Sequence, residues 1–169
     1  SDRIFNPRIE YKSYESLADH VIGIRTLENF LEEGFEYLLN MLGVDEAEIY
    51  LLNKNTEEFI SYRRSDGKTV MNEIIQVDSD SAIVKVMSSP DDLIIRKRIN
   101  PLLGIDASLL EEMKKMKASA IAPIYFQKIF LGFIVIKEYT RNYSFDEITS
   151  LKLIAAKIGS LHANSFFIK

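Results

Sequence analysis

The two histidines, His20 and His162, are the first residues to consider for metal or haem chemistry. A metal site needs several ligands on neighbouring helical turns or in one cleft. No second histidine or carboxylate stands at a fitting helical offset from His162, and Glu15 alone lies one turn before His20. We therefore expect both histidines on helix surfaces or in an interface, and we predict no metal site.

Paired carboxylates are the next candidates, because two carboxyl groups held at a set separation in a cleft act as general acid and base. The pairs in this chain are Asp78 with Asp80, Asp91-Asp92 and Glu111-Glu112. They are sequence neighbours near predicted helix starts, where the helix dipole explains them. The chain has no cysteine, no glycine-rich phosphate loop and no serine-centred elbow. We expect no catalytic residues, no cofactor and no enzymatic activity.

A basic triplet, Arg96-Lys97-Arg98, is the remaining cluster with chemical potential. A basic residue at a ligand pocket pairs with an anionic ligand through charge-assisted hydrogen bonds. The alternative interpretation is a solvated loop. Both interpretations stay open from the sequence alone.

The composition limits the class of protein that must position these residues. The chain has 169 residues, of which 47% are hydrophobic and 27% charged, and its formal net charge is −4. This favours one compact domain with a packed core and argues against nucleic-acid binding. The longest apolar runs fall far short of the ~20 residues needed to cross a bilayer, and no secretory leader is recognisable. Together with the lack of cysteine, this predicts a cytoplasmic domain.

A long helix is predicted near the start of the chain, after a lead-in of residues 1–13. Apolar residues recur at helical spacing over 14–42, and Gly43 is a good helix-ending residue. At 1.5 Å per residue such a helix would be about 43 Å long, so part of it would project from a small domain. Gly23 or Gly34 is the alternative, as a break in the helix.

A second long helix is predicted at the end of the chain. Ser144 and Glu147 have the spacing of a capping box at its start, and the helical pattern then runs to the last residue. We expect residues 14–169 to form one domain, with this helix continuing into more protein beyond Lys169.

Five strands and two helices are predicted between the terminal helices. The strands cover 47–52, 58–63, 69–77, 119–126 and 129–137, with tight turns at Ser65-Asp66-Gly67 and Gln127-Lys128. One helix covers 79–88 with a serine N-cap, and the other covers about 108–117 with Ser108 and Glu111 spaced as a capping box. Residues 90–107 have no regular pattern.

The last two strands are apolar on both of their alternating faces. An antiparallel sheet with one face in water would alternate apolar and polar residues instead. We therefore expect other elements to cover both faces of the sheet. Gly132 lies inside the final strand, where glycine marks a bulge or a close approach.

The C-terminal third contains four motifs in succession. They are Ala120-Ile121-Ala122-Pro123-Ile124, Leu131-Gly132-Phe133-Ile134-Val135-Ile136, Tyr143-Ser144-Phe145-Asp146-Glu147-Ile148, and the helical residues Leu151, Ile154-Ala155 and Ile158. This succession resembles the closing signature of GAF domains. The resemblance implies an α+β fold with a central antiparallel sheet of five or six strands. The N- and C-terminal helices would lie on one face and the short helix and loop segment on the other.

The resemblance also implies a function, since GAF domains are ligand-sensing modules of signalling proteins. An unknown small molecule would bind between the sheet and residues 79–117, and the terminal helices would pass its effect to an output domain. The candidate ligand-binding residues are Tyr50, Tyr62, Arg96, Arg98, Ala122 and Tyr125. A PAS-like sensor and a ligand-free dimerisation or scaffold module are the alternatives.

Departures from the family pattern exclude some of its ligands. Lys137 and Asp146 occupy the positions of a lysine and an aspartate that pair in cyclic-nucleotide-binding members. Ile136 replaces the asparagine before that lysine, and Asn142 replaces the phenylalanine of the second motif. We expect no cyclic-nucleotide binding and at most an exposed ion pair between Lys137 and Asp146. Without cysteine, thioether attachment of a bilin and cysteine-based methionine-sulfoxide reduction are excluded.

The final helix predicts a homodimer through the terminal helices. Ile148, Leu151, Ala155 and Ile158 can cover the sheet, whereas Leu153, Ala156 and Phe167 point elsewhere. A helix that is apolar on several sides needs a second buried surface. The same helix of a second copy, related by a two-fold axis, would provide that surface.

Overall fold

The computed structural model describes residues 27–53, 58–65, 68–75, 81–87, 93–100, 102, 104–137 and 142–167. The lead-in 1–13 and the first half of the predicted N-terminal helix lie outside these residues. Within them, no helix is long and apolar enough to span a membrane.

The two terminal helices are α1, Leu27–Leu42, and a C-terminal helix, Phe145–Phe167. Helix α1 continues through Gly34 and ends at Gly43, which has a φ of 67° and donates its N–H to the Leu39 carbonyl at 2.8 Å. The left-handed conformation of Gly43 is the expected C-terminal cap. The alternative of a break at Gly34 is therefore wrong, whereas Gly23 lies outside the described residues.

The capping box at the start of the C-terminal helix is confirmed. The Ser144 N–H donates to Glu147 Oε1 at 2.8 Å, and the Glu147 N–H donates to Ser144 Oγ at 3.1 Å. Two otherwise free N–H groups are thereby satisfied by residues within one turn of each other. This helix start is consequently fixed by local sequence alone.

Six strands form one antiparallel sheet. They are β1 Ala47–Leu52, β2 Phe59–Ser65, β3 Lys68–Ile75, β4 Ile94–Ile95, β5 Ala118–Phe126 and β6 Ile129–Lys137. Their order across the sheet is β3-β2-β1-β6-β5-β4, so β1 and β6 are central and the two-residue β4 is an edge. The predicted sheet of five or six antiparallel strands is confirmed.

Helices cover both faces of the sheet, as the apolar pattern predicts. On one face, buried residues of α1 and the C-terminal helix form a core with Ile49, Ala122 and Ile134. On the other face lie the helices α2, Ala82–Met87, and α3, Gly104–Lys115, so the C-terminal helix is α4. Buried residues of α2 and α3 form a second core with Tyr50, Ile121 and Phe133. We call these the terminal-helix face and the α2–α3 face.

Gly132 lies at a β-bulge and also close to the backbone of β1. Its φ is 152°, and a Cβ at this position would lie 1.9 Å from the Tyr50 carbonyl oxygen. The β5–β6 register shifts between Ile124 and Tyr125, opposite this glycine. As a result Leu131 lies on the terminal-helix face and Phe133 on the α2–α3 face, although simple alternation would put both on one face.

The middle of the chain differs most from the elements that the sequence predicts. Helix α3 begins at Gly104, so Ser108 lies inside the helix, and the predicted Ser108–Glu111 capping box is wrong. Helix α2 is shorter than predicted and starts after Ser81. The segment predicted to be irregular contains β4 and a 3-10 turn, Arg96–Arg98.

Candidate functional site

An aromatic cluster fills the space between the sheet and α2. Tyr50 and Phe133 stack with ring centroids 4.7 Å apart. Phe59 contacts Phe133 at 5.7 Å and Phe130 at 6.1 Å, and Phe130 meets the Tyr125 ring edge-on at 5.8 Å. These residues come from β1, β2, β5, β6 and the β5–β6 hairpin. The antiparallel pairing of neighbouring strands brings them together on one face of the sheet.

Side chains from other elements hold both ends of α2. Ser81 precedes the helix and donates its hydroxyl to Glu112 Oε1 at 2.5 Å. The Ala82 N–H donates to Glu112 Oε2 at 2.6 Å. At the other end, the Tyr125 hydroxyl donates to the Met87 carbonyl. A carboxylate of α3 and a phenol of β5 thus satisfy groups at the helix ends, beside the local contact of the Val84 N–H with Ser81 Oγ at 3.5 Å.

A polar network borders the aromatic cluster. Lys137 pairs with Glu48 Oε1 at 2.5 Å and donates to the Met116 carbonyl at 2.6 Å. Burial raises the pKa of Tyr50 above its ordinary value, and the charge of Glu48 and a hydrogen bond with it raise the pKa further. Tyr50 is therefore a neutral phenol throughout the physiological range. Lys137 thus pairs with Glu48 rather than with Asp146.

Tyr125 contacts elements on both faces of the sheet. Its hydroxyl holds the end of α2 on the α2–α3 face. On the terminal-helix face, a Cβ at Gly159 of α4 would lie 2.4 Å from the Tyr125 carbonyl oxygen. Because that oxygen belongs to the backbone, α4 packs directly on the strand at this residue. Tyr125 is thus a direct physical connection between α2 and α4.

A cleft of about 160 Å³ lies at the β4 edge of the sheet. It is lined by Ile95, the basic triplet Arg96–Arg98, Ser119, Asn142 and Tyr143. Ser119 Oγ donates to the Ile136 carbonyl at 3.0 Å and lies 2.6 Å from the Tyr143 hydroxyl. Burial and the negative charge of Glu147 raise the pKa of Tyr143, while the positive charge of Arg96 opposes that rise.

The six predicted ligand-binding residues fall in three places. Tyr50 and Tyr125 belong to the aromatic cluster. Arg96 and Arg98 line the cleft at the sheet edge. The remaining two, Tyr62 and Ala122, are buried in the core of the terminal-helix face. One small ligand in contact with Tyr50 cannot touch Tyr62, because the sheet lies between them.

His162 was expected on a helix surface or in an interface, but its side chain is buried. Its Nε2 lies 2.8 Å from the Leu52 carbonyl oxygen, so this nitrogen carries the proton. Burial lowers the pKa of His162 below its ordinary value of 6.5. Among the residues that the structure describes, no group of three or more His, Cys, Asp or Glu is arranged to hold a metal. Glu112 is the main residue that sequence reasoning missed, because its partners are about thirty residues away in the chain.

No family model matches the chain, and no curated protein matches it in sequence. Solved structures do match in fold. The GAF domain of an Acinetobacter phosphoenolpyruvate-protein phosphotransferase has a TM-score of 0.72 and 12% identity, with 98% of each chain covered. The corresponding GAF domain from Coxiella burnetii has a TM-score of 0.65 and 14% identity over 95% of this chain and 96% of that chain.

A third match is the phycoerythrobilin-bound GAF domain of a cyanobacterial phytochrome, with a TM-score of 0.62 and 14% identity over 95% of this chain and 96% of that chain. The chain is therefore an α+β domain with a six-stranded antiparallel sheet. Its fold is the GAF fold, as the sequence motifs indicate, and the PAS-like alternative is wrong.

Proposed function

We propose that this domain is a non-catalytic regulatory module that binds a small, flat and largely apolar molecule beneath α2. The observation that carries the proposal is the position of Tyr125, which holds the end of α2 through its hydroxyl and supports α4 through its backbone. A ligand that displaces α2 must break or strain the contact of α2 with Tyr125. The strand that carries Tyr125 packs directly on α4, so the change reaches a terminal helix in one step.

The short length of α2 supports its displacement by a ligand. Helix α2 has 6 residues, and isolated helices shorter than ~12 residues are not stable in water. Its position depends on packing and on the two contacts made by Glu112 and Tyr125. Breaking a few hydrogen bonds, each worth about 1 kcal/mol net, is within the free energy that a small ligand supplies.

The chemistry beneath α2 indicates the class of ligand. Aromatic rings favour a planar molecule that replaces one ring contact by another. Tyr50 adds a neutral phenol, and the neighbouring Glu48–Lys137 pair adds polar groups at the border of the cluster. The structurally similar GAF domain of a cyanobacterial phytochrome is bound to phycoerythrobilin. The present chain has no cysteine, so the proposed binding is non-covalent.

The signal would leave through the terminal helices. We propose a cytoplasmic homodimer in which α1 and α4 of two copies form a helical bundle that leads to an output domain. Ala156 on α4 is exposed, in agreement with a contact outside the domain. Leu153 differs from expectation, because it is half-buried against the domain's own core. Ala156→Glu is therefore the better test of the dimer, and sedimentation should show a monomer for this variant.

Planar heteroaromatic fragments should bind the wild-type protein and change hydrogen exchange in both α2 and α4. We would find binders by ligand-observed NMR and map them by exchange mass spectrometry. Tyr125→Phe should keep binding but lose most of the response in α4. Tyr62→Phe, a buried tyrosine on the opposite face, is the matched control and should behave as wild type. If no fragment binds, or if binders leave the exchange of α2 unchanged, the proposal is wrong.

A ligand-free dimerisation module is the second candidate. The observation that favours it is the packing of the aromatic rings on one another, with Tyr50 only 6% exposed. In this case the cluster is a core and needs no ligand. A dimer that forms through α4 without any fragment binding would identify this function.

A further inference from the structure

The basic triplet places three positively charged side chains next to one another in a chain whose net charge is negative. Arg96, Lys97 and Arg98 occupy one 3-10 turn, whereas the whole chain has a net charge of −4. Two other cations are paired within the fold, since Arg64 pairs with Glu32 and Lys137 with Glu48. In the part of the chain that the structure describes, no ion pair involves Arg96 or Arg98. Two guanidinium groups at one cleft therefore lack an acidic partner among these residues.

The floor of the cleft is organised by a chain of hydroxyl groups. Ser119 Oγ donates to the Ile136 carbonyl, so the Tyr143 hydroxyl must be the donor to Ser119. Both hydroxyl groups are thus oriented by the protein itself. Because burial raises the pKa of Tyr143, its phenol stays neutral and adds no negative charge to the cleft.

The acidic groups near the cleft do not cancel its charge. Glu147 is 2% exposed, and its carboxylate accepts the Ser144 N–H in the capping box, at the positive end of the α4 dipole. Asp146 is half-buried in the same turn. Neither carboxylate lines the cleft, whereas Arg96 and Arg98 do, and the helix N-terminus adds further positive potential. The cleft retains an excess of positive charge.

The size of the cleft limits its occupant. Its volume of about 160 Å³ is below the ~300 Å³ at which sites for drug-sized ligands begin. A phosphate group with a short attached chain fits, and two guanidinium forks match the geometry of phosphate oxygens.

We propose that this cleft is an anion-binding site, separate from the site beneath α2, and that its occupant is a phosphate monoester. Arg96 and Arg98 bind the phosphate oxygens, and the side-chain amide of Asn142 donates to them directly before the first turn of α4. The domain then has two inputs to the same helix, an apolar ligand through Tyr125 and an anion through the start of α4. Failure of either site leaves the other unaffected.

The test is titration calorimetry with inorganic phosphate and with glycerol phosphate at constant ionic strength. We expect saturable binding to the wild type and at least tenfold weaker binding to the double variant Arg96→Gln, Arg98→Gln. The matched control is Lys114→Gln, Lys115→Gln, which removes the same charge from exposed residues at the end of α3 and should stay within twofold of wild type.

A second variant keeps the test decisive if the arginine variants fold poorly. Asn142 is exposed at the rim of the cleft, and Asn142→Asp should weaken phosphate binding at least fivefold without disturbing the core. Phosphatidylcholine vesicles with and without phosphatidic acid identify a lipid headgroup as the alternative source of the phosphate. Cleft-dependent binding to either source supports the site. Binding that is absent, or equal in the cleft variants and the lysine control, overturns it.

Discussion

The two faces of the sheet are built in different ways. On the terminal-helix face, α4 has 23 residues, caps its own N-terminus and packs against the β5 backbone at Gly159. On the α2–α3 face, α2 has 6 residues, and besides the local Ser81 its ends use Glu112 and Tyr125 from other elements. One face is therefore held by extensive packing, and the other by packing together with a few replaceable polar contacts.

This difference assigns a role to each face. Regions that must open for a ligand are drawn from the less stable parts of a protein. We expect α2 to open when its contacts with Glu112 and Tyr125 are lost. We expect α4, which is long and has a local cap, to open only when the whole domain unfolds. We infer that the terminal-helix face stays in place when a ligand binds, and we call it the frame. The α2–α3 face is the part that opens.

The largest expected effect is on the frame. In Gly159→Ala the new Cβ would meet the Tyr125 carbonyl oxygen at 2.4 Å, so α4 must move away from β5. We expect the free energy of unfolding to fall by about 3 kcal/mol. In the control Gly34→Ala, the Cβ meets the Phe30 ring at an ordinary 3.5 Å, and the stability should rise by about 0.5–1 kcal/mol. Urea denaturation measures the free energy of unfolding of both variants. Equal changes in the two variants would show that the close packing of α4 on β5 at Gly159 has no special importance.

Loss of the contact between Glu112 and the start of α2 should destabilise α2 alone. Glu112→Ala leaves the Ser81 hydroxyl and the Ala82 N–H without their carboxylate partner, which costs about 1–3 kcal/mol. We expect hydrogen exchange in residues 82–87 to accelerate tenfold or more, with little change in α4. The exposed neighbour offers the control Glu111→Ala. An equal acceleration throughout the chain would show that α2 does not open separately.

The pH dependence of stability should come partly from His162 on the frame. Burial lowers the pKa of His162 in the folded state below 6.5, so the unfolded chain takes up a proton first as the pH falls. Stability is therefore expected to be highest above pH 6.5 and to decline below it. In His162→Gln, the part of this decline just below pH 6.5 should disappear. Denaturation curves from pH 8 to 5 would contradict the account if both proteins lost stability in parallel.

The smallest effect is expected at the β5–β6 turn, which belongs to neither face. Gln127 and Lys128 have φ values of 49° and 67°, a strained region for residues other than glycine. Lys128→Gly should relieve this strain and raise the free energy of unfolding by about 0.5–1 kcal/mol. Exchange rates of α2 and α4 relative to each other should stay unchanged, which makes the variant a neutral reference.

Features set by neighbouring residues could be predicted from the sequence. The Ser144–Glu147 capping box lies within one helical turn, and β6 is found at its predicted bounds, Ile129–Lys137. The same reasoning was wrong for Ser108 and Glu111. The acidic residue that caps a helix here is Glu112, and the helix it caps is α2, about thirty residues earlier. A pairing between distant segments leaves no local pattern in a sequence.

The candidate site was predicted only in part, because strand register is not visible in the sequence. Tyr50 pairs with Ser61, whereas Tyr62 pairs with Ile49 and shares its face. A shift of one residue would have placed both tyrosines together. Ala122 and Tyr125 are three residues apart on β5 and therefore point to opposite faces, an alternation that the sequence itself indicates.

Native-state hydrogen exchange of the unmodified protein tests the central claim most directly. The account predicts that the amides of residues 84–87 in α2 exchange by local opening, at least tenfold faster than those of residues 151–158 in α4. The amides of α4 should exchange only with global unfolding, and the two rates should converge as denaturant is added. If α2 and α4 exchange at the same rate without denaturant, the α2–α3 face does not open separately, and the account is wrong.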